Sequence, residues 1–171
     1  MAIRALFALF TVAAVLTAHN VQAQGIPPEG PVSVTFTATP IPPPKPMSIG
    51  GGKEFALMNQ AMTASNDAGN AVLHNMGGRC QFSRLSDASA KTVELHGFCT
   101  YIDKDGDQTF EQCDFVPGAP NNCRIIGGTG KFDGLQASLV ISIEPPLKSN
   151  FDGIAQVIGH KKGTYKFVKT N

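Results

Sequence analysis

Downstream of Lys53 the chain consists of short segments in which apolar and polar residues alternate, separated by residues that favour turns. The clearest places Ala137, Leu139, Ile141 and Ile143 on one side and Ser138 and Ser142 on the other. A period of two marks a half-buried strand. The same pattern predicts strands at residues 54–64, 71–75, 78–85, 92–102, 109–116, 122–126, 151–158 and 164–168. Turns at Asn66-Asp67-Ala68-Gly69-Asn70 and at Asp105-Gly106 separate some of them, because hairpins need residues that tolerate unusual φ. Only Phe55 to Ser65 has enough Ala, Leu and Met to offer a helix instead. Eight or so short strands within about 115 residues point to an all-β sandwich or closed barrel, and closure removes the exposed edges that invite aggregation.

Upstream, the pattern changes. Residues 1–23 read as a secretory leader: Arg4 begins it, an apolar run extends from Ala5 to Ala18, and Val21-Gln22-Ala23 forms a small-x-small cleavage site. That run is shorter than the roughly 20 residues a spanning helix needs, and no later segment approaches this length, so no membrane span is expected. Residues 24–52 hold eight of the twelve prolines, including Pro42-Pro43-Pro44. Such a stretch favours extended, unpaired backbone. It predicts a Pro/Gly-rich N-terminal arm, broken by one alternating segment at Val32 to Thr37 that lays at most one strand against a barrel domain at residues 53–171. Loss of the leader takes 171 residues to 148 and balances 13 Lys and Arg against 13 Asp and Glu, which fits one domain. The basic excess on which nucleic-acid binding relies is missing. Lys161-Lys162 reads as a solvated hairpin beside an edge strand.

Four cysteines in an exported chain predict disulfides. Opposed residues of an antiparallel hairpin share a constant index sum. Cys80 with Cys99 centres a turn at Ser89/Ala90, Cys99 with Cys113 centres one on Gly106, and Cys113 with Cys123 centres one on Gly118. The cysteines can therefore form one rung across four neighbouring strands. Only neighbours on such a rung come within disulfide reach, and joining Cys99 to Cys113 would strand the other two. The expected bonds are Cys80 with Cys99 and Cys113 with Cys123. A zinc site from the four thiolates lacks the closely spaced pairs such sites use.

Several motifs invite a chemical reading. Asp103-Lys104-Asp105-Gly106-Asp107 matches the start of a calcium loop, and three carboxylates so close together would welcome a cation. Gln108 stands where that loop wants glycine, so a plain hairpin turn accounts for the residues as well. Gly127 to Gly134 fits neither the phosphate loop nor the dinucleotide spacing and reads as a corner turn with close backbone approach. His74, His96 and His160 lie on separate segments and predict no metal centre, and no G-x-S-x-G elbow is present. No cofactor is implied. The face carrying the cysteines also carries Phe82, Val93, Leu95, Tyr101, Glu111, Phe115 and Ile125, and as the more apolar face it should look inward. The same index sum puts Tyr101 opposite Glu111 and makes Tyr101, Glu111, Phe82 and Phe115 the candidate ligand-binding residues, with Glu111 at the barrel mouth as the alternative.

Cys80 to Leu85, Gly97-Phe98-Cys99, Asp103-x-Asp105-Gly106-Asp107 and Gly127-Gly128-Thr129-Gly130-Lys131-Phe132-x-Gly134 together resemble secreted bacterial proteins with an allene oxide cyclase-like, or dirigent-like, barrel. The resemblance spans about Met47 to Phe167 and implies a single antiparallel eight-stranded β-barrel with an apolar lumen. It implies conformational templating of cyclisation or coupling where such barrels are enzymes, and it carries no catalytic residue onto this chain. The reading is of an exported, periplasmic or secreted barrel that binds a small apolar molecule. A cyclase or isomerase, or an interaction module with a filled barrel, are the alternatives. Nothing in the pattern sets an oligomeric state.

Overall fold

The computed structural model describes residues 25–145, 147 and 155–168. The leader at 1–23 and the first half of the strand expected at 151–158 lie outside them. The strands are β1 (Glu29–Pro40), β2 (Met47–Gly50), β3 (Lys53–Asn66), β4 (Met76–Asp87), β5 (Thr92–Ile102), β6 (Gln108–Phe115), β7 (Asn122–Gly128), β8 (Leu135–Ile143) and β9 (Val157–Phe167). They pair antiparallel in the order β1-β9-β8-β7-β6-β5-β4-β3-β2, and a further β1–β3 pairing closes the first eight-strand circuit. The result is an eight-stranded barrel, with β2 as an extra strand on the far end of β3.

The arm expected at 24–52 is largely absent, because β1 is a stave of the barrel. Its twelve residues pair with β9 from Glu29 to Ala38 and with β3 from Val34 to Pro40. The prolines sit where they cost little: Pro31 precedes the start of the β3 pairing, Pro40 ends the strand, and Pro42 to Pro44 follow it. Between them Val32, Val34, Phe36 and Ala38 alternate into the core, each no more than 5% exposed. The alternating segment at Val32 to Thr37 marks the middle of this strand, and the flanking prolines obscured its full length.

Two further expectations change. Residues 71–75 form no strand; they belong to the loop between β3 and β4, where Val72 and Leu73 are wholly buried. The Asn66 side chain holds this loop, donating to the Val72 carbonyl at 2.6 Å and accepting from the Ala68 N–H at 2.7 Å. The hydrophobic run was a plug for one end of the barrel. Lys161-Lys162 lies mid-strand in β9, with Lys162 outward and Lys161 inward, 2% exposed. Phe55 to Ser65 falls within β3 and so is strand, not helix.

The disulfides join Cys80 to Cys99 and Cys113 to Cys123. The single rung is nevertheless stepped, for Cys113 lies opposite Gly97 and Cys99 opposite Glu111. The cause is the turn: Asp103 and Asp107 face each other, the Asp103 carbonyl accepts from the Gly106 N–H at 3.2 Å, and the hairpin centres on Asp105 instead of Gly106. Tyr101 therefore faces Thr109, not Glu111. A slip of two residues preserves the faces, so the inward set survives the error. At Gly97 a Cβ would strike the Gln81 carbonyl and the Phe82 ring, which leans over that position.

At the plugged end the glycine string embraces the acidic turn. Thr129 exchanges bonds with Gln108: its Oγ1 accepts from the Gln108 N–H at 2.9 Å and its own N–H donates to the Gln108 carbonyl at 2.8 Å. Gly130 has a φ of +54°, and a Cβ there would collide with the Asp107 carboxylate. Phe132, in a single 3-10 turn (Gly130–Phe132), is fully buried and fills the barrel end. Lys131 pairs with Asp103 and, at 2.6 Å, with Asp105. The positive charge sought by Asp103 and Asp105 is thus supplied by a side chain of the neighbouring corner, while Asp107 accepts from the Lys131 backbone N–H at 3.3 Å. Bonds from Lys104 and Lys131 hold Asp105 down at about 2, and the two carboxylates raise Lys131 above its ordinary value.

Deletion of residues 25–40 is expected to abolish the cooperative urea transition of the barrel, since two strands would lose a partner. Lys131→Met is expected to lower the thermal midpoint at neutral pH. It should also flatten the acid limb of stability: a carboxylate depressed from 3.8 to about 2 stabilises above that ordinary value and loses its effect as pH falls towards the lower one.

Candidate functional site

One half of the barrel interior is packed and the other is open. The open half is a cavity of about 490 Å³, lined on its walls by Phe36, Met58, Phe82, Leu95, Phe115 and Val157 and by all four cysteines. Pro43 and Pro44, from the expected arm, form part of its rim. Phe82 and Phe115 meet edge to face, their centroids 5.9 Å apart. A wider depression of about 1040 Å³ spans β7, β8, β9 and β1, lined by outward residues such as Arg124 and Gln136 and by the inward Ile125, Ala137 and Tyr165. It is more open and nearly as polar as apolar, so the lumen is the better candidate for retaining a molecule.

The floor of the cavity is ionic. Lys161 reaches in from β9, forms an ion pair with Glu111 of β6, and donates to the Tyr101 hydroxyl of β5 at 3.1 Å. All three side chains are no more than 2% exposed. Gly159, two residues before the lysine on β9, admits the Phe36 ring, which a Cβ there would strike. The Lys161 ammonium lies 5.2 Å from the Phe36 ring centre and 5.0 Å from that of Tyr101. Burial alone would lower the Lys161 pKa, but the Glu111 charge, with Tyr101 beside it, outweighs burial and holds it above the ordinary lysine value. Tyr101 is pushed up to about 12, chiefly by burial, with Lys161 acting in the opposite sense. At neutral pH Lys161 is therefore an ammonium and Tyr101 a neutral phenol.

Of the residues expected to meet a ligand, Phe82 and Phe115 line the cavity directly. Tyr101 and Glu111 lie behind its floor and touch it through Lys161. Glu111 is fully buried rather than at the mouth, and its Oε1 has no hydrogen-bond partner among the described residues. Donor atoms of Cys99, Glu111 and Cys113 lie within 4.8 Å of one another. Both sulfurs are oxidised and offer no thiolate, so this is no metal centre, and the 3.6 Å approach of Cys113 Sγ to Glu111 carries no proton. Asp103, Asp105 and Asp107 lie at the plugged end with Lys131. His74 bonds to the Asn66 backbone oxygen and His160 to Thr35 of β1, and His96 sits on the outer face between Asp114 (2.7 Å) and Glu94 (2.6 Å), which raise its pKa.

Sequence reasoning missed Lys161. A signal existed: in the alternation Gly159, Lys161, Gly163, Tyr165 the lysine shares a face with an aromatic residue, and an inward Glu111 requires a cation.

Compared with known proteins, the chain matches no protein-family model and no curated protein in sequence. Among solved structures it is similar to the pterocarpan synthase dirigent protein GePTS1, with a TM-score of 0.50 and 13% identity over 84% of this chain and 89% of that one. The fold is dirigent-like. At that identity the likeness is one of fold, the closed antiparallel eight-stranded barrel. The dirigent-like barrel here brings Lys161, Glu111 and Tyr101 together at the floor of its open half.

Lys161→Met alone would leave a buried carboxylate without its cation and is expected to destabilise the protein by about 3–5 kcal/mol in urea denaturation. The double change Lys161→Met with Glu111→Leu removes both charges and should restore most of that loss.

Proposed function

We propose that the protein is exported and binds a small, mainly apolar molecule in the open half of its barrel. The observation that carries this reading is the cavity of about 490 Å³, a size usual for small-molecule sites, whose walls are aromatic, aliphatic and disulfide surface. Retaining such a surface open to water is unfavourable unless something occupies it. The two disulfides support export, as does the leader read in residues 1–23, and among the described residues no helix is long and apolar enough to cross a membrane. The open lumen argues against an interaction module with a filled barrel.

A second reading, a cyclase or isomerase, draws on the ionised Lys161–Glu111 pair at the cavity floor and on a fold shared with a protein named as a synthase. A barrel that constrains a flexible substrate needs few reacting groups. The two readings differ in whether the bound molecule leaves changed.

Protein purified from its own compartment is expected to carry a stoichiometric apolar adduct in native mass spectrometry, released by organic solvent. Leu95→Trp, which fills the cavity, should abolish the adduct while retaining cooperative unfolding. Absence of the adduct, together with failure of the protein to take up a neutral naphthalene probe, would end the binding reading. Recovery of a chemically altered probe would favour the enzyme.

A further inference from the structure

The floor of the lumen is more specific than its walls. An ammonium carries three N–H donors and no acceptor. Lys161 directs one at Glu111 Oε2 and one at the Tyr101 hydroxyl, and both partners lie behind the floor. Lys161 itself lines the cavity, and its remaining donor meets no hydrogen-bond acceptor among the described residues. The nearby groups are aromatic: the Phe36 and Tyr101 rings lie 5.2 and 5.0 Å from Nζ. Ring faces attract a cation, but they do not replace a directed hydrogen bond. A buried charged donor left short of an acceptor is costly, and a ligand that supplies one recovers that cost.

Charge restricts the ligand further. The Lys161 ammonium is already balanced by Glu111, and Tyr101 is neutral, so the cluster has no net charge. A carboxylate brought to this depth would lie near Glu111 in a poorly hydrated site, with nothing left over to neutralise it. The other cation lining the cavity, Arg84, is on β4 towards the mouth, where water screens it. Among the described residues, the remaining walls offer surface to rings and alkyl chains, with Gln60 the only other polar side chain of note.

We infer that the lumen selects an uncharged aromatic or aliphatic molecule bearing one hydrogen-bond acceptor, a carbonyl or ether oxygen, which the lumen-facing N–H of Lys161 receives at the cavity floor. The inference rests on the lumen being a ligand site. It identifies Lys161 as the determinant of orientation: the acceptor goes in first and the apolar remainder lies against Phe82 and Phe115. Glu111 and Tyr101 act through Lys161 as positioning residues, fixing the ammonium so that its third donor points inward.

Three probes of nearly equal size separate the possibilities by calorimetric titration of the full disulfide-bonded protein: 2-ethylnaphthalene, 2-acetylnaphthalene and naphthalene-2-carboxylate. The neutral ketone should bind about tenfold tighter than the hydrocarbon, as expected for a hydrogen bond from a charged donor, and tighter than the carboxylate. In the charge-free variant Lys161→Met with Glu111→Gln the ratio of ketone to hydrocarbon affinity should fall close to one. Should that variant not fold, the wild-type series decides by itself. Equal affinity for ketone and hydrocarbon would overturn the inference and leave the binding reading standing. Tightest binding of the carboxylate would overturn it in favour of an anion receptor. Failure of all three to bind would remove both the inference and the reading beneath it.

Discussion

The structure depends on β1 finding two partners at once. An antiparallel sheet of this length has two edges, each a row of unpaired N–H and carbonyl groups, and β1 satisfies both by pairing with β9 along one side and β3 along the other. The sheet then encloses a volume, and inward side chains are surrounded on every side. Phe36 and Ala38, which line the cavity, and Val32 and Val34, which help fill the other half, come from this one strand. The prolines that follow turn the chain away from the barrel wall to form part of the cavity rim.

Within the enclosure the protein divides its interior unequally. Val72, Leu73, Met76, Phe132 and Leu135 pack one end, contributed by the β3–β4 loop, the adjoining strands and the glycine corner. The opposite end retains an open cavity. The Lys161–Glu111 pair sits at the boundary, and its place there is physically reasonable. A buried ion pair seldom stabilises more than apolar residues of the same volume would, so its presence is better explained by what it presents than by the stability it adds. At the boundary it presents a donor to the lumen while the packed residues behind it keep out water.

The legible parts of this architecture were those that repeat locally. The alternation of Ala137 to Ile143 reports a strand because period two is imposed by the backbone itself. The cysteine positions reported both disulfides because hairpin register is a local property, and the two-residue error at Asp105 did no harm to the faces. What stayed hidden depends on partners remote in sequence or on packing without periodicity. Lys161 looks like any surface lysine until its partner, 50 residues away, is placed beside it. Val72 and Leu73 look like strand residues because burial is common to strands and plugs. Val32 to Phe36 was visible as an alternating segment, but the surrounding prolines obscured its length and its role in closure. Phe82 and Phe115 were found at the cavity wall because they share the inward face with the cysteines, whereas the depth of Glu111 required the whole barrel.

The covalent bonds are not spread evenly around the circumference. One joins β4 to β5 and the other β6 to β7, and both lie in the wall of the open half. By contrast, β7 and β8 are paired only from Asn122 to Ile125, and beyond that point β7 leaves its neighbour to form the glycine corner. The β7–β8 seam, with no covalent tie and the fewest paired residues of any seam in the barrel wall, joins two stapled strands to the rest of the barrel, and its pairing covers the stretch of β7 that borders the lumen at Cys123.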